Sequence, residues 1–280
     1  MKIELLSTFL EVSHTLHVRV AAENLFLTQA AVSARIKQLE EDLGVQLFDR
    51  SQKRLKLTPE GHRLTRHAKE MLTLWQKIKL DVGIAQDNSI QLFVGSITSI
   101  WDVVLQDWLQ KIHRNLDDVC LHTSTYSSLE LRKQIQTRLL DIAFLFEPTY
   151  SEDVITEKVA TVPLQLVSTT DNLSVSDIEN FISVDYGESV NSQFRRHFNE
   201  LITPRHHMSQ PRVALNFILD AGGSAYLPRQ LCFEYIRKKK LFLVDSTPVF
   251  EREIFAVYLA QNQKLATIED ALQIFPHIRS

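Results

Sequence analysis

The first ninety residues set apolar stripes at helical spacing between short polar breaks. Over residues 2 to 16, Leu5, Phe9 and Val12 share one stripe with Leu6 and Leu10 beside it, which predicts a first helix. Val18, Ala21, Ala22 and Leu25 then fall at i, i+3, i+4 and i+7, a short second helix whose small side chains suit close packing. Thr28 is placed to cap a third helix, buried along Val32, Ile36, Leu39 and Leu43 and stopped by Gly44. Leu47 and Phe48 begin a short strand, Ser51 to Lys53 form a polar turn, and Leu55 and Leu57 alternate with Arg54 and Lys56 as a half-buried returning strand does. After Thr58 and Pro59, a cap and a first-turn proline, comes a long helix. Its Leu64, Ala68, Met71, Trp75, Ile78, Val82 and Ala85 recur with spacings of 4 and 3, a heptad seam that wants a second helix.

The pattern breaks between Gly83 and Ser89, and a different rhythm follows. Buried strands are expected at Leu92–Val94, Val119–Leu121 and Ile142–Phe146, separated by helices over 101–113 and 128–138; the βαβαβ order implies a parallel, helix-covered sheet. Apolar runs at Leu164–Val167, Ile182–Val184, Ala225–Leu227 and Leu241–Val244 alternate with helices over 191–200, 212–220 and 229–237, a second lobe of the same kind. The strand Ile254–Leu259 and a last helix over 267–274 return to the first lobe, which leaves a cleft between two lobes joined by a double crossover.

Composition narrows the chemistry. With 280 residues, 44% hydrophobic and 23% charged, the chain suits more than one domain, and no run approaches the ~18 apolar residues of a membrane span. Glu4 and Glu11 interrupt the first apolar run, so it does not read as a secretory signal and the cytoplasm is expected. Cys120 and Cys232 stand far apart in apolar surroundings, which rules out a disulfide framework or a Cys-rich zinc site. The seven glycines never cluster as a phosphate-cradling loop requires. No G-x-S-x-G elbow or H-E-x-x-H helix occurs, His62 and His67 are five apart, His206 and His207 are adjacent, and Asp141 at a strand start reads as structural, so neither enzyme nor metal site is expected. The run Arg237 to Lys240 follows a helix and reads as a solvated C-terminal end.

Charge is uneven. Up to residue 87 there are 13 Lys and Arg against 11 Asp and Glu, and after it 18 against 23. Arg50, Lys53, Arg54, Lys56, Arg63, Arg66 and Lys69 face only Glu60 across twenty residues, a patch suited to an anionic partner. On the third helix Ala30, Ala34, Lys37 and Glu41 point away from the buried stripe with Ser33 and Gln38 beside them. Near the helix start this face is slender and polar enough to approach a major-groove floor, where Gln29 or Ser33 can bond base edges. An ordinary amphipathic surface helix has the same periodicity. A basic-tipped ribbon beside it, carrying Arg50, Lys53 and Arg54, favours the duplex-binding reading, because guanidinium and ammonium groups there can neutralise phosphates.

These residues resemble the winged helix-turn-helix of LysR-type transcriptional regulators. The likeness rests on Leu6, Phe9 and Val12, on Ala21-Ala22-Glu23-x-Leu25, on Thr28-Gln29-x-Ala31-Val32-Ser33, on Ile36-x-x-Leu39-Glu40-x-x-Leu43-Gly44-x-x-Leu47-Phe48-x-Arg50, and on Leu57-Thr58-x-x-Gly61. Gly95-Ser96, Leu140-Asp141-Ile142-Ala143 and the string from Ala221 to Pro228 are similar to the family's effector module, and Trp75 with that string is most similar to the HdfR-type flagellar-gene regulator subgroup. His17, Val18 and Val20 depart from the Ser-Phe and the basic residue that the family usually has there, and Ala30 replaces a common proline or serine.

The resemblance implies an α+β chain. It comprises a winged helix-turn-helix over 1–58, a linker and dimerisation helix over 59–88, and a two-lobed α/β effector domain like the periplasmic binding proteins over 89–280. Lobe 1 would span about 89–161 and 253–280, and lobe 2 about 162–252. It assigns Gln29, Ala30, Ser33 and Ala34 to the groove, Thr28, Arg35 and Lys37 to the DNA backbone, and Arg50, Lys53 and Arg54 to the wing. In the cleft it implies a small-molecule effector held by hydroxyls, with Ser96, Thr98, Ser99, Tyr126, Ser127, Ser128, Tyr186, Ser189 and Ser224 as candidates; each can equally cap a helix or bond local backbone. Expected partners are double-stranded DNA, a second copy through the heptad seam, the effector and RNA polymerase, with no cofactor and no membrane. The competing readings are a small-molecule-binding or enzymatic α/β domain with a basic interaction module in front, and an exported solute binder.

Overall fold

The computed structural model describes residues 2–49, 55–83, 89–198 and 202–275, and the chain divides into two compact units, Met1–Asn88 and Ser89–Ser280. In the first unit α1 (Ile3–Thr15), α2 (Val18–Asn24) and α3 (Gln29–Leu43) pack around Leu6, Phe9, Val12, Ala21, Val32, Ile36 and Leu39. Thr28 accepts a hydrogen bond from the Ala31 N–H at 3.1 Å, and Gly44 ends α3 at φ 68°, a left-handed turn that a side chain opposes. Two short strands follow, β1 (Phe48–Asp49) and β2 (Lys56–Leu57), paired antiparallel with Phe48 opposite Leu57. The turn between them, with Arg50, Lys53 and Arg54, lies outside the described residues.

Helix α4 (Pro59–Gly83) starts where Thr58 accepts from the Gly61 N–H at 3.0 Å and donates its own hydroxyl to the Gln46 carbonyl at 2.8 Å. Among the described residues of the heptad stripe, the near end is covered within the first unit. Ala68 is buried in the core, with Leu64 and Leu72 packed against it. Ala68, expected in an intermolecular seam, is instead fully buried where α1 and β2 cover that end of the helix, while Leu64 is only half-buried there. Ala85, at the far end of the stripe, lies outside the described residues.

The second unit is built on one sheet. Along the chain come β3 (Ile90–Ser96), α5 (Thr98–Ile100) running through a π-helical turn at Trp101–Leu105 into α6 (Gln106–Asn115), β4 (Val119–Thr125), α7 (Ser128–Gln136) and β5 (Ile142–Leu145). Then come β6 (Val154–Ser168), β7 (Phe181–Val184), α8 (Glu188–Phe198), β8 (Pro204–Met208), α9 (Pro211–Ala221), β9 (Ser224–Pro228), α10 (Arg229–Arg237), β10 (Phe242–Leu243), β11 (Phe250–Leu259) and α11 (Leu265–Gln273). Among the described residues the strand order is β4-β3-β5-β11-β6-β9-β7-β8, with β10 added on β6. The β4-β3-β5 group is parallel, the β9-β7-β8 group is parallel, and the antiparallel pair β6 and β11 joins them.

Two strands differ from expectation, β6 and β8. Strand β6 is 15 residues long, beginning ten residues before the apolar run at Leu164, because Val154 to Leu164 pair with β11 even though the consecutive polar residues Thr156, Glu157 and Lys158 interrupt the apolar pattern. Strand β8 carries the polar sequence Pro-Arg-His-His-Met and escaped the hydrophobic pattern because it is a sheet edge, half solvated and free to begin on proline. Trp108 is fully buried and donates from Nε1 to the Ala271 carbonyl at 2.7 Å, which ties α6 to the returning α11. Asp141 is buried too and accepts from the Phe93 N–H at 2.9 Å and from Lys264 Nζ at 3.2 Å, the structural role its position suggested.

Candidate nucleic-acid interface and cleft

On α3 the buried stripe leaves Gln29, Ala30, Ser33, Ala34 and Lys37 exposed on one side. Lys37 pairs with Glu41 at 3.5 Å across one exposed turn, a contact that water screens and a phosphate can displace. Arg35 is half-buried, and its Nη1 donates to Thr8 Oγ1 at 3.2 Å, so its guanidinium braces α3 against α1. Glu40 holds the other end of the helix. Its carboxylate accepts from the Leu47 N–H at 2.9 Å and the Phe48 N–H at 3.3 Å, which fixes the first wing strand relative to α3. Gly61 sits against the same joint: a Cβ there would come within 2.3 Å of the Leu47 carbonyl oxygen.

Beyond Ala68, α4 presents Met71, Leu74, Trp75, Ile78 and Val82 between 41% and 71% exposed. Five large apolar side chains along one helix form a patch that a monomer rarely leaves in water.

In the second unit a narrow cleft, with a cavity of about 10 Å³, lies at the carboxyl ends of both parallel groups. Ser99, Ile100 and Val103 line it from α5 and the π turn, Phe146 from the end of β5, Val162, Leu164, Arg252 and Ile254 from the crossover strands, and Tyr186, Pro211 and Pro228 from the opposite side. The π turn widens the helix by one residue and brings Val103 to the cleft wall; such bulges recur where a helix serves a site. The Tyr186 hydroxyl donates to the Tyr226 carbonyl at 3.0 Å, and burial raises its pKa well above the ordinary tyrosine value, so it stays a neutral donor. Asp102 on the π turn and Arg212 on α9 meet at 3.2 Å and bridge the two sides. A second cavity of about 350 Å³ lies under α8, walled by Phe181, Phe194, Tyr226 and Phe250.

Residues 3–62 match the family described as bacterial regulatory helix-turn-helix protein, lysR family, and residues 85–277 match the LysR substrate binding domain. The chain belongs to the LysR family. It is 30% identical over 284 residues to the HTH-type transcriptional regulator HdfR of Yersinia enterocolitica, covering 98% of this chain and 96% of that one, and 30% identical to HdfR of Yersinia pestis strain Pestoides F over 98% and 96%. The fold is similar to that in the crystal structure of CbnR, a LysR family transcriptional regulator, with a TM-score of 0.78, 17% identity and 98% of each chain covered. Similar too is full-length CbnR complexed with its target DNA, with a TM-score of 0.78, 16% identity and 98% and 99% covered. The protein is thus a LysR-type transcriptional regulator and not an enzyme.

Of the nine hydroxyls considered for the cleft, Ser99 and Tyr186 line it. The others are not among its lining residues. Ser96 is buried and donates to the Phe144 carbonyl at 3.1 Å, and Ser127 caps α7 in a reciprocal box with Glu130. Tyr126 packs on the Leu131 cluster, and Ser224 lies buried within β9. Thr98, Ser128 and Ser189 are exposed residues at helix starts. The structure also places a positive charge in the cleft, Arg252, a residue outside the hydroxyl candidates. Its signal was available: Phe250, Arg252 and Ile254 share one parity of an alternating strand, the parity that is buried.

Proposed function

We propose that this LysR-type regulator binds a two-fold symmetric operator as a homodimer or a homotetramer built on homodimers, with Gln29, Ala30, Ser33 and Ala34 in the major groove. Thr28, Lys37, Arg50, Lys53 and Arg54 hold the phosphates; Arg35, braced on Thr8, positions the helix. The observation that carries this reading is the pairing of a slender polar face on α3 with an unaccompanied apolar stripe on α4 in the same compact unit. A second copy covers Met71, Trp75, Ile78 and Val82, and two-fold pairing then offers two recognition helices to one duplex. The working division is a DNA-binding region over 1–58, a linker helix over 59–88 and a regulatory region from 89 onward. Lobe 1 takes 89–161 and 253–280, lobe 2 takes 162–252, and the cleft receives a small molecule that changes operator affinity. Relatives named as transcriptional regulators and a fold neighbour solved with its target DNA support this reading, and the cytoplasm, where promoter DNA and RNA polymerase lie, is the place of action.

The test uses the full-length protein. Genomic fragments that it retains are sequenced, and the enriched site is titrated by fluorescence anisotropy against random duplex. Trp75→Glu with Ile78→Glu should yield monomers in sedimentation and a large loss of operator affinity. Retained dimers with unchanged affinity would overturn the α4 assignment, and no preference over random duplex would overturn the operator reading.

A further inference from the structure

Arg252 is 5% exposed in a cleft whose other walls are almost entirely apolar, and a buried guanidinium must be compensated where it lies. Two groups do so. Glu147 Oε1 accepts from Nη2 at 2.5 Å, and the Phe146 ring lies 4.7 Å from the guanidinium carbon. Nε, which shares an edge of the guanidinium with Nη2, is buried and has no hydrogen-bond partner among the described residues. Glu147 is itself half solvated, 52% exposed, on the segment after β5. Gly187, between β7 and α8, closes on the pair from the opposite side: a Cβ there would lie 2.9 Å from Arg252 Nη2 and 3.5 Å from Glu147 Oε1.

A carboxylate meets an arginine best through two parallel N–H bonds on one edge. Glu147 engages only one of the two on this edge. We propose that Arg252 is the receptor for the carboxylate of a small effector, and that Glu147 is an internal stand-in which occupies the guanidinium until that carboxylate replaces it. This rests on the reading of the cleft as the effector site. The ligand class follows from the walls. Among the described residues that line the cavity Arg252 is the charged one, which matches a monoanion, and Arg212 is tied to Asp102. Ile100, Val103, Val162, Leu164 and Ile254 face a short apolar or aromatic body, and Ser99 offers one hydroxyl. In the latched state the cavity is only about 10 Å³, room for roughly one water, so entry requires its walls to separate as Glu147 leaves Arg252.

Benzoate, with benzamide as its neutral isostere, tests this on the full-length protein by calorimetry and thermal shift at millimolar concentration. The expected result is benzoate binding without benzamide binding, roughly tenfold tighter binding in Glu147→Gln, and loss in Arg252→Gln with partial retention in Arg252→Lys. The Glu147→Gln gain does not depend on whether the Arg252 variants fold. Benzoate binding no tighter in Glu147→Gln than in the parent, or absent from both, overturns the proposal. A cleft-filling Ser99→Trp separates the two readings. If it abolishes equal binding of benzoate and benzamide, the cleft is the site and the carboxylate receptor is wrong; if benzoate binding survives it, the cleft reading itself fails.

Discussion

Alanine at Gly61 should destabilise the winged domain, although a glycine-to-alanine change inside a helix ordinarily stabilises it by about 1 kcal/mol. Gly61 is the third residue of α4, is buried, and has ordinary helical backbone, so no conformational strain opposes the substitution. Space does. The new methyl would lie 2.3 Å from the Leu47 carbonyl oxygen and 2.7 Å from Leu57 Cδ2. The leucine methyl can turn aside, but the carbonyl accepts from the Thr58 N–H at 3.0 Å and its residue is tied through its own N–H to Glu40, so the backbone cannot yield alone. Overpacking of this kind costs about 1–3 kcal/mol, and a contact this short belongs at the upper end, leaving a net loss of about 1–2 kcal/mol. For a domain of this size that lowers the melting temperature by about 5–15 °C. Hydrogen exchange on peptides from α1 to α4 in the full-length protein isolates the domain from the rest of the chain. Gly44 is the control. It sits at φ 68° with nothing within 4 Å of a Cβ among the described residues, so its constraint is conformational, and asparagine, which tolerates that turn, should be accepted there and rejected at 61. A Gly61→Ala protein as protected as the parent would refute the reasoning.

Glu40→Ala should leave two partly buried N–H groups at Leu47 and Phe48 unmet, costing about 1–3 kcal/mol and weakening operator binding more than Glu41→Ala does, as read by anisotropy. Gln29→Ala or Ser33→Ala should cost ~1–3 kcal/mol at particular base pairs, whereas Lys37→Ala should weaken all duplexes alike and flatten the salt dependence. If both classes weaken every sequence equally, the division between reading and positioning is wrong. Asp102→Asn removes the ion pair across the cleft and should speed proteolysis near α9 without lowering operator affinity; unchanged cleavage would show the bridge to be idle. Burial pushes the Cys232 thiol up to about 12, and burial with Glu157 nearby pushes Tyr258 up to about 12. Both folded values exceed the ordinary ones, so their stabilising contribution is complete below about pH 9 and is lost as pH rises toward 12. Urea midpoints should therefore fall over that window, and less steeply in Cys232→Ala.

Much of this protein was legible in its residues because the deciding interactions are local. The stripes Leu5-Phe9-Val12 and Val32-Ile36-Leu39, the Thr28 cap and the Gly44 stop depend on neighbours within a turn or two, and the structure places each element where its pattern lies. The βαβ order of the second unit was equally readable, since a parallel pair needs a crossover helix. What the pattern could not rank was contact between distant segments. A heptad says that Leu64 and Trp75 share a face of α4, but only packing shows that α1 and β2 cover the first and leave the second in water. Nine serines, threonines and tyrosines looked alike as cleft candidates, because a hydroxyl's partner is decided by what folds against it. Arg252 and Glu147 are 105 residues apart in the chain and meet only when β11 pairs beside β5. Burial of a charge is a property of the assembled sheet, and the sequence by itself carries only the parity that permits it.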